Sequence, residues 1–270
     1  YYNCLRDVDR HLMKLIHSLE DTGQIDNTII FMISDHGEML GQQGARGKIV
    51  SWEESIRVPT LVYHPDLKDK KLCNSVISNI DIVPTLLEFT GLSKSELRDK
   101  HPELKGNSYA ELVENVNYDN VRDKEGHLIH GVQIIPTVFE VAEKFRHTAL
   151  ADGFLAKTKA FMSEGKFLPD FTPPLNYKGV VDKKYKFLRF FSPRQNNIPT
   201  NYDELTKYNA EYQLYDLEND PFEMNDLAKD ENNRDLLMSM NDKCNTLADK
   251  EIGLENHVIH LPGPDWFWTA

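Results

Sequence analysis

The run Thr28-Ile29-Ile30-Phe31-Met32-Ile33 constrains this chain more than any other segment. It is apolar almost throughout, rich in β-branched residues, and it ends on Ser34-Asp35-His36-Gly37-Glu38. A strand that does not alternate apolar with polar residues has no face to give to water, so it is expected inside a parallel sheet covered on both sides by helices. Upstream, Leu5, Val8, Leu12, Leu15, Ile16 and Leu19 recur at three- and four-residue steps, the pattern of an amphipathic helix that should stop at Gly23. Helix, turn and buried strand together indicate an α/β fold. A composition of 40% hydrophobic and 27% charged residues supports a packed core and excludes wholesale disorder. A net charge of −12 argues against a nucleic-acid partner, because a duplex-binding surface gathers cations against phosphates.

Val58-Pro59-Thr60-Leu61-Val62-Tyr63 reads as a second strand, and Asp81 to Gly91 as a helix with Asp81 as N-cap and Gly91 as stop. Residues 92 to 180 carry mixed charge and short apolar clusters and read as an irregular insert. Lys184 to Phe191 and Tyr212 to Leu217 are strand-like, and Leu236, Leu237, Met240, Cys244 and Leu247 fall at helical spacing. The expected architecture is therefore part of a mostly parallel sheet flanked by helices over residues 1–180, then a small antiparallel α+β subdomain over 181–270 that includes an aromatic tail. No apolar run reaches the length of a transmembrane helix, and none of the three cysteines stands in a C-x-x-C pair. The chain opens on Tyr1-Tyr2 without an initiator Met or a leader, so it reads as a piece of something longer whose compartment is open.

Ligands of open α/β sheets gather at the carboxyl ends of the strands, which is where Asp35 and His36 fall. Adjacent carboxylate and imidazole groups there can turn toward one metal ion, with Gly37 allowing the backbone to bend behind them. A lone D-H-G also fits a plainer role, with Asp35 as a helix cap and His36 as an ordinary histidine. The wider order adds to this: strand, S-D-H-G-E, a glycine-rich loop ending near Lys48, Trp52-Glu53-Glu54-Ser55-Ile56-Arg57-Val58-Pro59, then Asp81-Ile82-Val83-Pro84-Thr85. It resembles the second half of sulfatases of the alkaline phosphatase superfamily. Leu214-Tyr215-Asp216-Leu217-Glu218-Asn219-Asp220-Pro221-Phe222-Glu223 resembles that family's C-terminal subdomain.

The resemblance implies a sulfuric ester hydrolase in which Asp35 and His36 bind a divalent metal, Lys48 neutralises the sulfate group, and Glu38 orients His36 from behind. It also implies a formylglycine nucleophile made within a C-x-P-S-R motif, and a small-molecule or saccharide sulfate ester as substrate. Cys4, Cys73 and Cys244 are not followed by that pattern, and the family's N-terminal Asp-Asp pair is lacking, so this chain is expected to be inactive alone and to need its missing half or a second copy. The resemblance implies calcium as the expected metal, with Mn2+ or Zn2+ as alternatives because an imidazole suits them better. Family members are often exported or periplasmic, and some are cytoplasmic. Asp-His pairs also occur in the superfamily's phosphodiester and phosphonate monoester hydrolases, which gives an alternative chemistry, and a non-catalytic remnant used for binding is a third. His127-x-x-His130 and His257-x-x-His260 have spacings that could share a helix face, and Arg57 reads as a structural ion-pair residue.

Overall fold

The computed structural model describes residues 1–45, 47–48, 50–67, 69–132, 176–191, 198–208 and 211–253. They divide into two compact units, one of residues 1–48 and 54–120, the other of residues 49–53 and 121–270. Among them no helix is long and apolar enough to cross a membrane.

The first unit opens with helix α1 (Tyr2–Asp21), whose apolar stripe is the one its periodicity predicts and of which no residue is buried. Strand β1 (Ile30–Met32) is shorter than the apolar run. It pairs antiparallel with β2 (Leu61–Tyr63) in the register Ile30↔Tyr63, Phe31↔Val62, Met32↔Leu61. The expected parallel neighbours are not found among the described residues, where β1 has β2 as its ladder partner and all three of its residues are half-buried rather than enclosed. Its Phe31 side meets Phe89 and Tyr109, with ring centroids 6.3 and 6.5 Å away.

Helix α2 (Glu53–Ile56) precedes β2, and α3 (Ile82–Phe89), α4 (Lys94–Lys100) and α5 (Ala110–Glu114) follow it. The turn into α3 is capped by Ser78 and not by Asp81. Asp81 is the third residue of that capping box, its Oδ2 accepting the Ser78 N–H at 2.9 Å. Buried, it also accepts the Asn107 N–H on Oδ1 at 2.7 Å, while its carbonyl takes the Thr85 hydroxyl at 2.7 Å. Thr85 Oγ1 in turn accepts the Tyr109 N–H at 3.0 Å, so one Asp-x-x-x-Thr step of helix fastens the 107–109 segment at two points.

The second unit is a four-stranded antiparallel meander in the order β3 (His127–Val132), β4 (Asn176–Val181), β5 (Tyr185–Phe191), β6 (Glu211–Asp216). Helix α6 (Val121–Glu125) leads into it, and α7 (Tyr202–Tyr208) and α8 (Arg234–Ile252) complete it. The register lines up Leu128, Val180, Phe187 and Leu214 across the sheet. That row packs with Leu205 and with Leu237, Met240, Cys244 and Leu247 of α8. Enclosing a side chain such as Phe187 or Leu214 stabilises the unit by about 1.5–3 kcal/mol each.

A boundary at 180/181 would cut this sheet. Asp182 closes the β4–β5 hairpin by accepting the N–H groups of Lys184 and Tyr185 on Oδ1, at 2.9 and 2.8 Å. The compact unit begins instead at Val121, so His127 to Val132 and Asn176 to Val181, expected within an irregular insert, are sheet strands. Arg122 is buried with Glu251 of α8 at 3.1 Å, and its guanidinium also donates to the Gly126 carbonyl at 3.2 Å. The proline-bearing segment of residues 168–174 and the aromatic tail of residues 261–268 lie outside the described residues.

Candidate functional site

Past β1 the chain leaves the ladder at Ile33 and bends through Ser34 to Met39. Two side-chain bonds fix the bend: the Ser34 hydroxyl donates to the His36 carbonyl at 2.9 Å, and the Asn79 amide donates to the Ser34 carbonyl at 2.9 Å. Gly37 then passes against the backbone of α2, its N–H donating to the Ser55 carbonyl at 2.7 Å. A Cβ at Gly37 would stand 2.0 Å from the Glu54 carbonyl oxygen, so only glycine permits that approach.

Asp35 and His36 emerge from this bend on the same side. Asp35 Oδ1 accepts the His36 backbone N–H at 2.9 Å, and Oδ2 lies 3.3 Å from His36 Nε2. His36 Nδ1 lies 2.9 Å from the Gly37 carbonyl. A carbonyl can only accept, so that contact requires the proton on Nδ1, and Nε2 is the ring nitrogen that faces Asp35, donating to the carboxylate when it carries a proton and offering a lone pair when it does not. The Asp35 carboxyl is held below its ordinary range, chiefly by the His36 N–H, against an opposing desolvation and with smaller contributions from the imidazole and from Lys48. Its side chain is 83% exposed.

The acceptor on Nδ1 is the Gly37 carbonyl, and among the described residues no hydrogen bond joins Glu38 to the ring. Lys48 is exposed at the end of a loop that folds back on itself: Met39 N–H donates to the Gly47 carbonyl at 2.9 Å, and Gly41 N–H to the Ala45 carbonyl at 2.9 Å. Leu40, Gly41, Gln43 and Gly44 all take positive φ to make that reversal. The return brings Lys48 back toward the strand end, close enough to act electrostatically on Asp35.

Asp35 and His36 offer one carboxylate oxygen and one ring nitrogen, the right kinds of donor for one edge of a divalent-metal site. Among the described residues no cluster of three or more His, Cys, Asp or Glu side chains is placed to hold a metal. His127 and His130 lie on a strand, where residues three apart point to opposite faces, so they do not pair as a helical spacing would. His257 and His260 lie outside the described residues. Arg57 is exposed and makes no ion pair among the described residues. Of the residues that shape the site, Ser34, Asn79 and Ser55 carried no signal of their own; Asn79 was readable only through the Ser78-to-Asp81 capping box beside it.

The fold is that of known sulfatases and phosphonate monoester hydrolases. The chain superposes on a solved protein complexed with D-glucosamine-2-N,6-O-disulfate, with a TM-score of 0.60 and 20% identity, over 93% of this chain and 40% of that one. It superposes equally well on the phosphonate monoester hydrolase of Agrobacterium radiobacter, with a TM-score of 0.62 and 22% identity, over 93% of this chain and 41% of that one. Residues 1–92, which contain Asp35, His36 and Lys48, match the sulfatase family. Among curated relatives, the arylsulfatase of Clostridium perfringens is 33% identical over 121 residues, 43% of this chain and 24% of that protein. The chain thus spans less than half the length of these relatives and neighbours.

Proposed function

We propose that this chain is the part of a sulfuric ester hydrolase that brings Asp35 and His36 to a divalent metal and Lys48 to the sulfate group. The observation that carries the reading is the 3.3 Å approach of Asp35 Oδ2 to His36 Nε2 at the end of β1, inside the matched residues. The His36 N–H favours the ionised Asp35 carboxylate, and with Nδ1 turned to the Gly37 carbonyl it is Nε2 that a metal would take. A bound metal would supply Lewis-acid stabilisation of negative charge on the ester oxygens. Calcium gathers six to eight oxygens and would draw little from an imidazole, so His36 favours Mn2+ or Zn2+ at this edge. Lys48 contributes a mobile point charge for the sulfate oxygens.

The nucleophile is not among the cysteines described. Cys244 is buried and its thiol is pushed up by that burial, the opposite of an activated nucleophile, and neither Cys4 nor Cys73 is followed by x-P-S-R. We therefore expect no hydrolysis of an aryl sulfate above background by these 270 residues on their own. A sulfated saccharide fits the reading as substrate, since a structural neighbour was solved with a glucosamine disulfate. Phosphonate ester hydrolysis is the second reading, favoured by the equal fit to the Agrobacterium enzyme and by the imidazole at His36.

Titration with Mn2+ followed by NMR tests the site directly. The signals of Asp35 and His36 should broaden before all others, and Asp35→Ala should remove the effect; uniform broadening across the acidic surface would refute it. Side-by-side assays of sulfate and phosphonate esters on the full-length protein separate the two chemistries.

A further inference from the structure

The bend that carries Asp35 and His36 belongs to no ladder. Met32 is the last residue of β1, and the chain is next tied down at Gly37, whose N–H donates to the Ser55 carbonyl at 2.7 Å. In between, the hydrogen bonds of the pair itself are local: Asp35 accepts from the residue after it, and the His36 ring faces the carbonyl of the residue after that. The Ser34 hydroxyl, donating to the His36 carbonyl, is local too. Bonds between near neighbours in sequence travel with the bend and do not fix it in the unit. Among the described residues, one bond grips the bend from elsewhere before it reaches the pair: Asn79 Nδ2 donates to the Ser34 carbonyl at 2.9 Å, across 45 residues of sequence.

A carbonyl only accepts, so it is the nitrogen of the Asn79 amide that faces Ser34. Asn79 opens a short turn, Asn79–Asp81, whose backbone is held at several points. The Ser78 N–H donates to Asp81 Oδ2 at 2.9 Å, the Asp81 N–H donates to the Ser78 carbonyl at 2.9 Å, and the Asn107 N–H donates to Asp81 Oδ1 at 2.7 Å. Asp81 itself is 1% exposed, so this turn is anchored in the interior of the unit. The Asn79 side chain has only two torsions through which to lose that position before it reaches Ser34. An amide also carries no net charge, so it fixes the carbonyl without opposing a bound cation.

We propose that Asn79 is a positioning residue for Asp35 and His36, holding the Ser34 carbonyl so that the pair is slung between two fixings, one at Asn79 and one at Ser55. The proposal rests on the metal-binding role given to the pair above.

The 270-residue chain with Asn79→Ala, Asn79→Asp and Ser93→Ala variants tests it. Asn79→Asp keeps the shape of the side chain, removes the donor and sets a carboxylate against the Ser34 carbonyl. Ser93→Ala is the control, because it removes the cap of α4 in the same unit and leaves the bend alone. Without metal, both Asn79 variants should speed amide exchange at Gly37 by about 2–10-fold, the worth of one hydrogen bond, and should move the His36 ring nitrogen shifts toward those of an unrestrained histidine. With Mn2+, both should weaken the selective broadening of Asp35 and His36 by a similar factor. Ser93→Ala should speed exchange in α4 and change neither readout at the bend. A residue that acted on the metal by charge or as a ligand would bind Mn2+ more tightly as Asp, so tighter binding by Asn79→Asp overturns the proposal. Unchanged His36 shifts in both Asn79 variants, or the same changes in Ser93→Ala, overturn it as well. If Mn2+ does not broaden the pair in the unsubstituted chain, the metal reading fails, and the metal-free shifts and exchange still decide whether Asn79 holds the bend.

Discussion

Replacing Gly37 with Ala adds one methyl group at the bend that presents Asp35 and His36. The added Cβ would lie 2.0 Å from the Glu54 carbonyl oxygen and 3.0 Å from its carbon. Carbon–oxygen contacts sit at about 3.3–3.6 Å, so one backbone must retreat by more than ~1 Å. That retreat breaks the 2.7 Å bond from Gly37 N–H to the Ser55 carbonyl. Overpacking against backbone costs about 1–3 kcal/mol and the lost bond about 0.5–1.5, so the first unit should lose roughly 2–4 kcal/mol.

The Gly37 carbonyl moves with it, and the His36 ring loses the acceptor that sets its tautomer. Tryptophan fluorescence is the wrong assay, because all three tryptophans, at 52, 266 and 268, lie outside residues 1–48 and 54–120. Hydrogen exchange over residues 28–37 in increasing urea reports on the right unit. Gly41→Ala is the control: its Cβ would meet nothing, and only the positive φ is strained, at roughly 1–2 kcal/mol. The steric argument is refuted if Gly37→Ala costs no more than Gly41→Ala, or if it shifts exchange by less than ~0.5 kcal/mol.

Thr85→Val strands the Tyr109 N–H in a buried position and should cost about 1–3 kcal/mol, read as faster exchange at Tyr109 and in α3. Arg122→Ala removes the guanidinium 3.1 Å from the enclosed Glu251 carboxylate and should cost up to about 3–5 kcal/mol, seen in urea unfolding followed through Trp52. Asp35 should titrate below the ordinary carboxyl value of 3.8, so its contribution to stability is complete above that value and disappears as pH falls through the depressed one. A carbon-detected NMR titration midpoint at or above 3.8 would contradict the hydrogen bond from His36. Leu5, Val8 and Leu15 leave the apolar side of α1 exposed, so the chain should self-associate with rising concentration in sedimentation velocity, and a concentration-independent monomer would contradict this.

Periodicity was sufficient where local pattern and structure coincide. Helix α1, the β5 and β6 strands and α8 all follow from spacing, because each has one face that must differ from the other. The strand at residues 28–33 was visible but its pairing was not: an apolar run says that a strand is to be covered and says nothing of direction. Strands β3 and β4 escaped because Gly131 and Gly179 interrupt them. The reason for Gly179 is three-dimensional, since a Cβ there would stand 2.2 Å from the Phe187 carbonyl oxygen. Asp35 and His36 stand just past the end of β1, where the sequence places them, with Oδ2 and Nε2 3.3 Å apart. Their supports were not, because a Gly37 carbonyl that orients a ring and a Ser55 carbonyl that grips a bend belong to the backbone.

The hairpin leaving β4 carries three lysines with very different access to water. The side chains of Lys183 and Lys184 are 59% and 43% exposed, and that of Lys186 is wholly enclosed. An acylating reagent in solution meets the first two at once, and it reaches the third only when the sheet opens. One short peptide therefore carries its own internal standard: the ratio of label at 186 to label at 183 and 184 is a clock for how often this part of the molecule opens, readable in a mixture without purification.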